Sequence, residues 1–231
     1  MRVVRGRPSG IEEDRAVTRA LAGDVAETGE PAVRAWTPAR QVAFGRRDAR
    51  AGGYDRAREA AREHGFPPYE RSVGGRAVAY SGTTVAFVRA EPVGDARGGI
   101  DRRYRAAVAD VERALDGLGV DTERTEPPDA WCPGAHSLSA ADGGGKLVGI
   151  AQRVTDGAAV VAGCALVADR AALAAVLTDV YGALGLPFDP ASVGSLARAS
   201  DRREPPDAGT VARAIEDALV GDREARVERV S

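Results

Sequence analysis

Lys146 is the only lysine in a chain of 231 residues that contains 31 arginines. Lysine is normally one of the commonest residues, so this chain uses arginine wherever a generic cation is sufficient. An ammonium is a compact charge on a flexible stem, whereas a guanidinium is a wide planar fork. The composition therefore indicates that Lys146 stands where a point donor is needed beside an anionic oxygen. The alternative is a solvated lysine in a hairpin, without a role.

The segment DGGGKLVGIAQRV, residues 142–154, places this lysine at the start of an apolar strand. Leu147, Val148 and Ile150 predict that the strand is buried, and Gly149 leaves room beside it. A cation that leads into a buried strand is well placed to meet an anion in a pocket. The GGGK sequence lacks the Ser/Thr and the upstream glycine of a phosphate loop, so that motif is excluded.

Cys132 is the second residue with a chemical character that stands out. It lies in AWCPGAHSL, residues 130–138, just before Pro133-Gly134, a turn that can expose a thiol at the start of a strand. His136 could act as its base, although four extended residues place it roughly 13 Å away. The alternative is a small buried hydrophobe, which is the interpretation for Cys164 in VVAGCALV. Two cysteines and two histidines at these spacings predict neither a zinc site nor a disulfide framework.

Gly74 and Gly75 lie between apolar segments in RSVGGRAVAYSG, residues 71–82. Adjacent glycines allow a ligand to approach backbone amides closely. Taken alone, such a pair is more typical of an ordinary hairpin turn. The spacing matches neither the Rossmann nor the Walker pattern.

The elements that must position these residues follow from hydrophobic periodicity. The pattern predicts a mixed, largely antiparallel sheet flanked by helices, in an α+β fold, because short glycine turns join consecutive strands. Asp156-Gly157 marks a hairpin within this sheet. Helices are predicted over residues 11–22, 54–65, 100–118, 171–184 and 208–219, and strands over 32–36, 41–45, 69–73, 76–80, 83–88 and the two arms of that hairpin.

Composition excludes several classes of protein. The formal net charge of -2 recommends neither nucleic acid nor a membrane surface as a partner. No apolar stretch approaches the roughly 20 residues of a membrane helix, and the first residues do not resemble a secretory signal. A cytoplasmic enzyme is the resulting expectation.

Four segments occur in an order that resembles the catalytic domain of lipoate–protein ligases and octanoyltransferases, the biotin/lipoate ligase-like fold. They are VRAWTPARQVAFG, ERSVGGRAVAYSG, WCPGAHSL and GGGKLVGIAQRV. The Gly-Gly-Arg-Ala-Val and Lys-x-x-Gly-x-Ala-Gln pieces are the specific ones, and the match covers roughly residues 10–200. It implies a single catalytic domain over residues 1–231, with residues 201–231 as a short helical extension and no full accessory domain.

The resemblance assigns site residues by position. Lys146 matches the lysine that contacts the acyl carbonyl or carboxylate and the mixed anhydride. Gly149, Ala151 and Gln152 are then expected along the same wall as Lys146, which should point into the largest pocket. The other implied binding residues are Arg34 and Trp36 on a strand beside the acyl pocket, and Arg71, Gly74, Gly75, Arg76 and Ala77 in the turn that lines the acyl and adenylate site.

The implied reaction attaches a lipoyl or octanoyl group to the lysine of a small lipoyl domain. The acceptor would be a lipoyl domain of a 2-oxoacid dehydrogenase complex or a glycine cleavage H-type protein, with a separate small accessory subunit as a further expectation. The expected activation is through an acyl-adenylate made from lipoate or octanoate with ATP and Mg²⁺, and the alternative is a thioester on Cys132 formed without ATP. A third alternative is a non-catalytic lipoate-binding or partner subunit.

Departures from the family pattern bear on this choice. Val73 stands where a Ser or Thr is usual, and Tyr80 where a His is usual. ATP-dependent ligases favour a third glycine at the position of Arg76, whereas cysteine-type transferases have Gly-Gly-Arg and a cysteine at the position of Cys132. Arg76 and Cys132 thus favour the thioester route, while the sequence leaves both routes open.

Overall fold

The computed structural model describes residues 1–71, 75–94 and 98–231. The helices are α1 (Ile11–Thr28), α2 (Tyr54–Glu63), α3 (Ile100–Asp116), α4 (Arg170–Ala183), α5 (Leu196–Ala199) and α6 (Ala208–Val220). The strands are β1 (Arg2–Arg5), β2 (Ala32–Trp36), β3 (Gln41–Phe44), β4 (Pro68–Glu70), β5 (Val78–Tyr80), β6 (Val85–Pro92), β7 (Thr122–Glu123), β8 (Ser137–Ala140), β9 (Lys146–Thr155), β10 (Ala158–Ala165) and β11 (Arg226–Arg229). None of these helices combines the length and apolar character that crossing a bilayer requires.

The strands form two sheets. The larger has eight strands in the order β11-β1-β2-β6-β10-β9-β8-β7, and the smaller has the order β4-β3-β5. In the larger sheet only the β11-β1 and β1-β2 pairs are parallel, and all other neighbours are antiparallel. This architecture confirms the predicted α+β class with a mixed, largely antiparallel sheet.

The predicted elements are close to the observed ones, although β7, β8 and α5 were not predicted and the predicted strand over residues 69–73 extends into residues 72 and 73, which lie outside the described residues. Three further differences concern α1 and the two ends of the chain. Helix α1 continues through Gly23 to Thr28, because Val25 extends the buried face that Leu21 occupies one turn earlier. Strands β1 and β11 were not predicted, since each is four residues long and pairs across most of the chain. Residues 201–231 are therefore not only helical: α6 packs on α3, and β11 extends the sheet beside β1.

The larger sheet has two differently covered faces. One carries α3 and α6, whereas the other carries α1 and leads to the smaller sheet and α4. Register places Trp36 opposite Ala86, Ala86 opposite Cys164, and Cys164 opposite Gly149, in one row across four strands. All four residues belong to the α1 face, so this row links the predicted site residues of β2 to those of β9.

Asp14 connects α1 to β2 on this face of the larger sheet through hydrogen bonds. Its carboxylate accepts hydrogen bonds from an Arg34 guanidinium nitrogen at 2.5 Å and from Trp36 Nε1 at 2.9 Å. Asp14 and Arg34 are almost completely buried, with exposed side-chain fractions of 1% and 0%. Burial lowers the pKa of Arg34, and the Asp14 charge opposes that effect. The two charges therefore depend on each other inside the core.

Replacing Asp14 with Ala is expected to lower the free energy of unfolding by about 3–5 kcal/mol, because it leaves a buried, uncompensated guanidinium. Chemical denaturation measures this. Asp24→Ala on the same helix is the control, since Asp24 pairs with Arg2 at 2.6 Å but its side chain is 44% exposed. This variant should cost about 1 kcal/mol or less. Equal losses in the two variants would contradict the anchoring role of Asp14.

Candidate active site

A β-bulge determines where Lys146 points. Gly149 pairs with Ser137 and Val148 with Leu138, but Ser139 then pairs with Lys146, so Leu147 is an extra residue in β9. Regular alternation would put Lys146 and Gly149, three residues apart, on opposite faces. The extra residue returns Lys146 to the α1 face, where its Cε lies 3.4 Å from the position that a Cβ on Gly149 would occupy. The absence of a side chain at Gly149 thus leaves room for the lysine stem.

The ammonium of Lys146 is fully buried and makes three hydrogen bonds. Nζ donates to Glu126 Oε1 at 3.0 Å, to the Trp131 carbonyl at 3.1 Å and to the Cys132 carbonyl at 3.2 Å. It also lies 4.6 Å from the centroid of the Trp131 ring, within the range of a cation–π interaction. Three donors thus meet three acceptors, and the charge has a carboxylate counter-ion.

Tyr181 binds the loop of residues 131–132, whose two carbonyls accept hydrogen bonds from Lys146. Its hydroxyl accepts the backbone N–H of Cys132 at 2.6 Å and donates to the carbonyl of Ala77 at 3.1 Å. Burial raises the pKa of Tyr181 well above its usual value, so the hydroxyl keeps its proton. Cys132 adopts a φ of 41°, a left-handed conformation unusual for a residue with a side chain. Bonds to both its N–H and its carbonyl hold the residue in this conformation.

The thiol of Cys132 faces the turn that the sequence singled out. A Cβ built on Gly75, whose φ is 89°, would lie 3.1 Å from Cys132 Sγ and 3.3 Å from a terminal nitrogen of Arg71. Only glycine fits such a close approach at positive φ. The thiol, Gly75 and the Arg71 guanidinium are therefore neighbours, and Cys132 is partly exposed. Val73 and Gly74, which complete the predicted turn, lie outside the described residues.

Two buried donors at this place lack acceptors within the described residues. They are Arg71 Nε and Trp131 Nε1. Another Arg71 nitrogen donates to the Arg76 carbonyl at 2.6 Å, which fixes the guanidinium. A buried donor without a partner costs free energy that an oxygen of a ligand would recover. Arg71 and Cys132 both lie against Gly75, and the Trp131 ring contacts the Lys146 ammonium, so the arrangement suits a ligand with anionic or carbonyl oxygens.

Small residues leave the sheet open beside the lysine. Along the α1 face, Gly149 and Ala162 are half-buried and Ala151 is exposed. Ala151 pairs with Ala162 and Gly149 with Cys164, so these residues form a continuous apolar floor. Such a floor next to a cation and a thiol fits an acyl chain that ends in a polar carbonyl group.

Three predicted site residues lie elsewhere. Gln152 does not share the wall of Lys146, because its side chain bonds Arg103 Nε at 2.6 Å and the Ile100 carbonyl at 3.0 Å on the α3 side. Arg34 and Trp36 share the face of Gly149 but bond Asp14, and three strand spacings separate Trp36 from Gly149, roughly 14 Å. These two residues support α1 rather than surround the lysine.

Two clefts of the described residues do not include Lys146, and the expectation that it points into the largest pocket stays a prediction. One cleft of about 260 Å³ lies between the β1–α1 loop and α6, with Trp36 in its lining. Another of about 490 Å³ lies beside α3 and includes Glu112 and Asp121. Lys146 lines neither cleft, because its ammonium is enclosed by Glu126 and the 131–132 loop.

The remaining candidates have defined positions. Arg76 pairs with the buried carboxylate of Asp48 at 3.2 Å, and Ala77 is buried with its carbonyl bound by Tyr181. His136 stacks on Tyr104 of α3 with ring centroids 3.8 Å apart, which directs it away from the Cys132 turn. Burial raises the pKa of the Cys164 thiol to about 12, so it remains protonated at neutral pH.

Sequence reasoning missed Glu126 and Tyr181. Glu126 lies 20 residues before Lys146, in an irregular segment with no periodic pattern, and Tyr181 was predicted only as an apolar position of α4. A sequence signal for Glu126 does exist: a carboxylate next to Pro127-Pro128, close to a tryptophan and a cysteine. In the described part of the chain, no three His, Cys, Asp or Glu residues are grouped so as to hold a metal ion.

Known proteins resemble this chain over most of its length. The family model described as the lipoyl protein ligase A/B catalytic domain matches residues 11–219. An octanoyl-[GcvH]:protein N-octanoyltransferase of Geobacillus kaustophilus (strain HTA426) is 30% identical over 129 residues, which are 56% of this chain and 45% of the relative. The aligned stretch thus spans less than half the length of that curated relative.

Solved structures show the same fold. A lipoate-protein ligase A bound with ATP has a TM-score of 0.76 at 18% identity, covering 100% of this chain and 89% of the other. A putative lipoate protein ligase of T. acidophilum with bound lipoic acid has a TM-score of 0.70 at 19% identity, with the same two coverages of 100% and 89%. At these identities the likeness concerns the fold alone.

Replacing Tyr181 with Phe is expected to lower the free energy of unfolding by about 1–3 kcal/mol, because it leaves the Cys132 N–H and the buried Ala77 carbonyl without a partner. Thermal or chemical denaturation measures the loss. Tyr54→Phe is the control, since the Tyr54 hydroxyl makes an exposed bond to Glu70 at 3.2 Å; its effect should stay within about 0.5 kcal/mol. A neutral Tyr181→Phe would show that Tyr181 does not hold the loop.

Proposed function

Because the chain belongs to the lipoyl protein ligase A/B catalytic-domain family, we propose that it transfers an octanoyl or lipoyl group to the lysine of a lipoyl domain through a thioester on Cys132. One observation carries the proposal. The partly exposed thiol lies against Gly75 and Arg71, and its own carbonyl is bound by the ammonium of Lys146. A nucleophile and a cation that act on one acyl carbon must be close neighbours, and here they are.

The reaction has two steps. In the first, Cys132 Sγ attacks the carbonyl carbon of the acyl donor, the C–S bond forms, and the bond to the leaving group breaks as that group takes up the thiol proton. In the second, the amine of the acceptor lysine attacks the thioester, the C–N bond forms, the C–S bond breaks, and the thiol is regenerated with a proton from the amine. Each step passes through a tetrahedral oxyanion.

The residues around the thiol suit this chemistry. Lys146 Nζ lies over the Trp131 ring, and an Arg71 nitrogen and Cys132 Sγ both lie against Gly75. Lys146 Nζ, Arg71 Nε and Trp131 Nε1 are all buried hydrogen-bond donors, and water screens charge poorly in such surroundings. Donors arranged before the reaction stabilise an oxyanion without reorganisation. The apolar floor of Gly149, Ala151 and Ala162 would hold the hydrocarbon part of the acyl group.

The donor and acceptor follow from the relatives' names. The Geobacillus relative is named for moving an octanoyl group between GcvH and another protein, and one structural neighbour is described with its E2 lipoyl domain. We therefore propose an octanoylated lipoyl-type protein or an octanoyl thioester as donor, and a lipoyl domain as acceptor. The route through ATP, Mg²⁺ and an acyl-adenylate is the competing outcome. Arg76 counts against it, because the family resemblance implies that ATP-dependent ligases favour a glycine at this position.

Replacing Cys132 with Ser is expected to abolish octanoyl transfer to an apo lipoyl domain, or to leave the acyl group as a stable ester on the new serine. The assay compares an octanoyl thioester donor without ATP against free lipoate or octanoate with ATP and Mg²⁺. Cys164→Ser is the control, because the high pKa of about 12 excludes that thiol as a nucleophile at neutral pH, and it should retain transfer. Full ATP-dependent lipoylation by Cys132→Ser would replace the proposal with the ligase route.

Replacing Lys146 with Arg is expected to lower kcat by at least about 10²-fold, the typical loss when one oxyanion donor is removed. The charge is kept, but the planar fork cannot reach Glu126 and the two carbonyls from the same enclosed position. Transfer kinetics measure this, with circular dichroism to show that the fold is retained. Wild-type turnover by a folded Lys146→Arg variant would exclude Lys146 from the reaction.

A further inference from the structure

We propose that Glu126 is a displaceable counter-ion of Lys146, which occupies the ammonium in the free protein and gives way to the acyl oxygen of the substrate. The inference rests on the proposed function insofar as Lys146 meets that oxygen. It adds a positioning residue that acts through the lysine.

The need for displacement follows from the donor count. An ammonium has three N–H donors, and those of Lys146 are all engaged, by Glu126 Oε1 and by the carbonyls of Trp131 and Cys132. The side chain of Lys146 is 0% exposed, so water offers no additional approach. A substrate oxygen that binds Nζ must therefore take the place of one of the three acceptors.

The two carbonyls are held in place. The Trp131 side chain is buried in the core on the α1 face, and the Cys132 N–H is bound by the buried Tyr181 hydroxyl at 2.6 Å. Tyr181 is itself tied to the Ala77 carbonyl at 3.1 Å. Moving either carbonyl away from Nζ would break these contacts and shift the thiol away from Gly75. The loop therefore remains fixed while the ammonium exchanges its third partner.

The Glu126 carboxylate, unlike the carbonyls of Trp131 and Cys132, is held by few contacts. Glu126 lies in an irregular segment, and its side chain is 25% exposed, whereas that of Lys146 is 0% exposed. Its other contact is the Gly134 N–H at 3.4 Å, near the limit for a hydrogen bond. Its second oxygen, Oε2, is buried and has no partner within the described residues. A carboxylate that leaves one oxygen unsatisfied gains hydration when it departs, which lowers the cost of displacement.

When the substrate replaces Glu126, one oxygen acceptor on Lys146 Nζ is exchanged for another. Glu126 contributes one carboxylate oxygen to Nζ, and an acyl carboxylate or a developing oxyanion contributes an equivalent oxygen. The buried ammonium thus keeps a negative or partly negative partner before and during the reaction, as a buried charge requires. Trp131 Nε1, a buried donor without a partner within the described residues, belongs to the ring whose centroid lies 4.6 Å from Nζ, and it would be available to the incoming oxygen.

The experiment uses the fact that Lys146 is the only lysine. Acetic anhydride in limiting amount at fixed pH labels the ε-amine of Lys146, and mass spectrometry reads the modified peptide against the α-amine at the start of the chain. In Glu126→Gln the amide keeps the shape but loses the charge. Labelling of Lys146 is expected to be about tenfold faster, the factor for losing one charge-assisted hydrogen bond.

A second measurement tests displacement without requiring any turnover. Octanoate as a probe anion should protect Lys146 from labelling, and half-protection in Glu126→Gln should need an octanoate concentration roughly three- to tenfold lower than in the wild type. The steady-state counterpart is a lower KM for the acyl donor, with the change in KM rather than in kcat.

Glu112→Gln is the matched control. It removes a surface ion pair, with Arg124 at 2.6 Å, next to the segment that carries Glu126. Labelling, protection and KM should match the wild type.

Two results would overturn the role of Glu126. One is a Glu126→Gln variant that labels at the wild-type rate or needs as much octanoate for protection. The other is a KM that rises or a kcat that falls more than about threefold, because the carboxylate would then assist the reaction rather than yield its place. Absence of acyl transfer by the wild type would contradict the proposed function alone, since labelling and octanoate protection do not depend on transfer.

Discussion

The charge of Lys146 is buried, and a buried ammonium needs an acceptor for each of its donors. This constraint accounts for the conformation of the backbone around Lys146, in β9 and in the loop of residues 131–132. The bulge at Leu147 turns the lysine to the α1 face, Gly149 leaves space for its stem, and the carbonyls of Trp131 and Cys132 turn inward to meet Nζ. The lysine therefore organises the loop that carries the thiol as well as supplying a charge.

The position of the Cys132 thiol depends on Lys146 and on Tyr181, which bind the two sides of the same residue. Cys132 is held through its carbonyl by Lys146 and through its N–H by Tyr181, in a backbone conformation that residues other than glycine seldom adopt. Gly75 permits the close approach of both Cys132 Sγ and a terminal nitrogen of Arg71. A reactive group fixed from both sides loses little freedom when it forms a covalent intermediate, which lowers the entropic part of the barrier.

The sequence predicted the fold class and the residues that carry charge or a thiol, because composition and motif order contain that information. It could not predict which side chains share a wall. Strand alternation alone puts both Lys146 and Gln152 on the face opposite Gly149, and the bulge reverses only the lysine. The family resemblance implied that Gln152 shares the wall of Lys146, but its side chain bonds Arg103 and the Ile100 carbonyl. Glu126 was missed because an irregular proline-rich segment carries no periodic signal, and its contact with Lys146 is made only in three dimensions.

The central claim is that the acyl group passes through Cys132. The most direct test is the mass of the intact wild-type protein after incubation with an octanoyl thioester donor, in the absence of ATP and acceptor. The account predicts a single octanoyl adduct that maps to Cys132, is removed by hydroxylamine, and disappears when an apo lipoyl domain is added as the domain gains the group. An unmodified Cys132 under these conditions, together with lipoyl-domain modification that requires ATP, would contradict it.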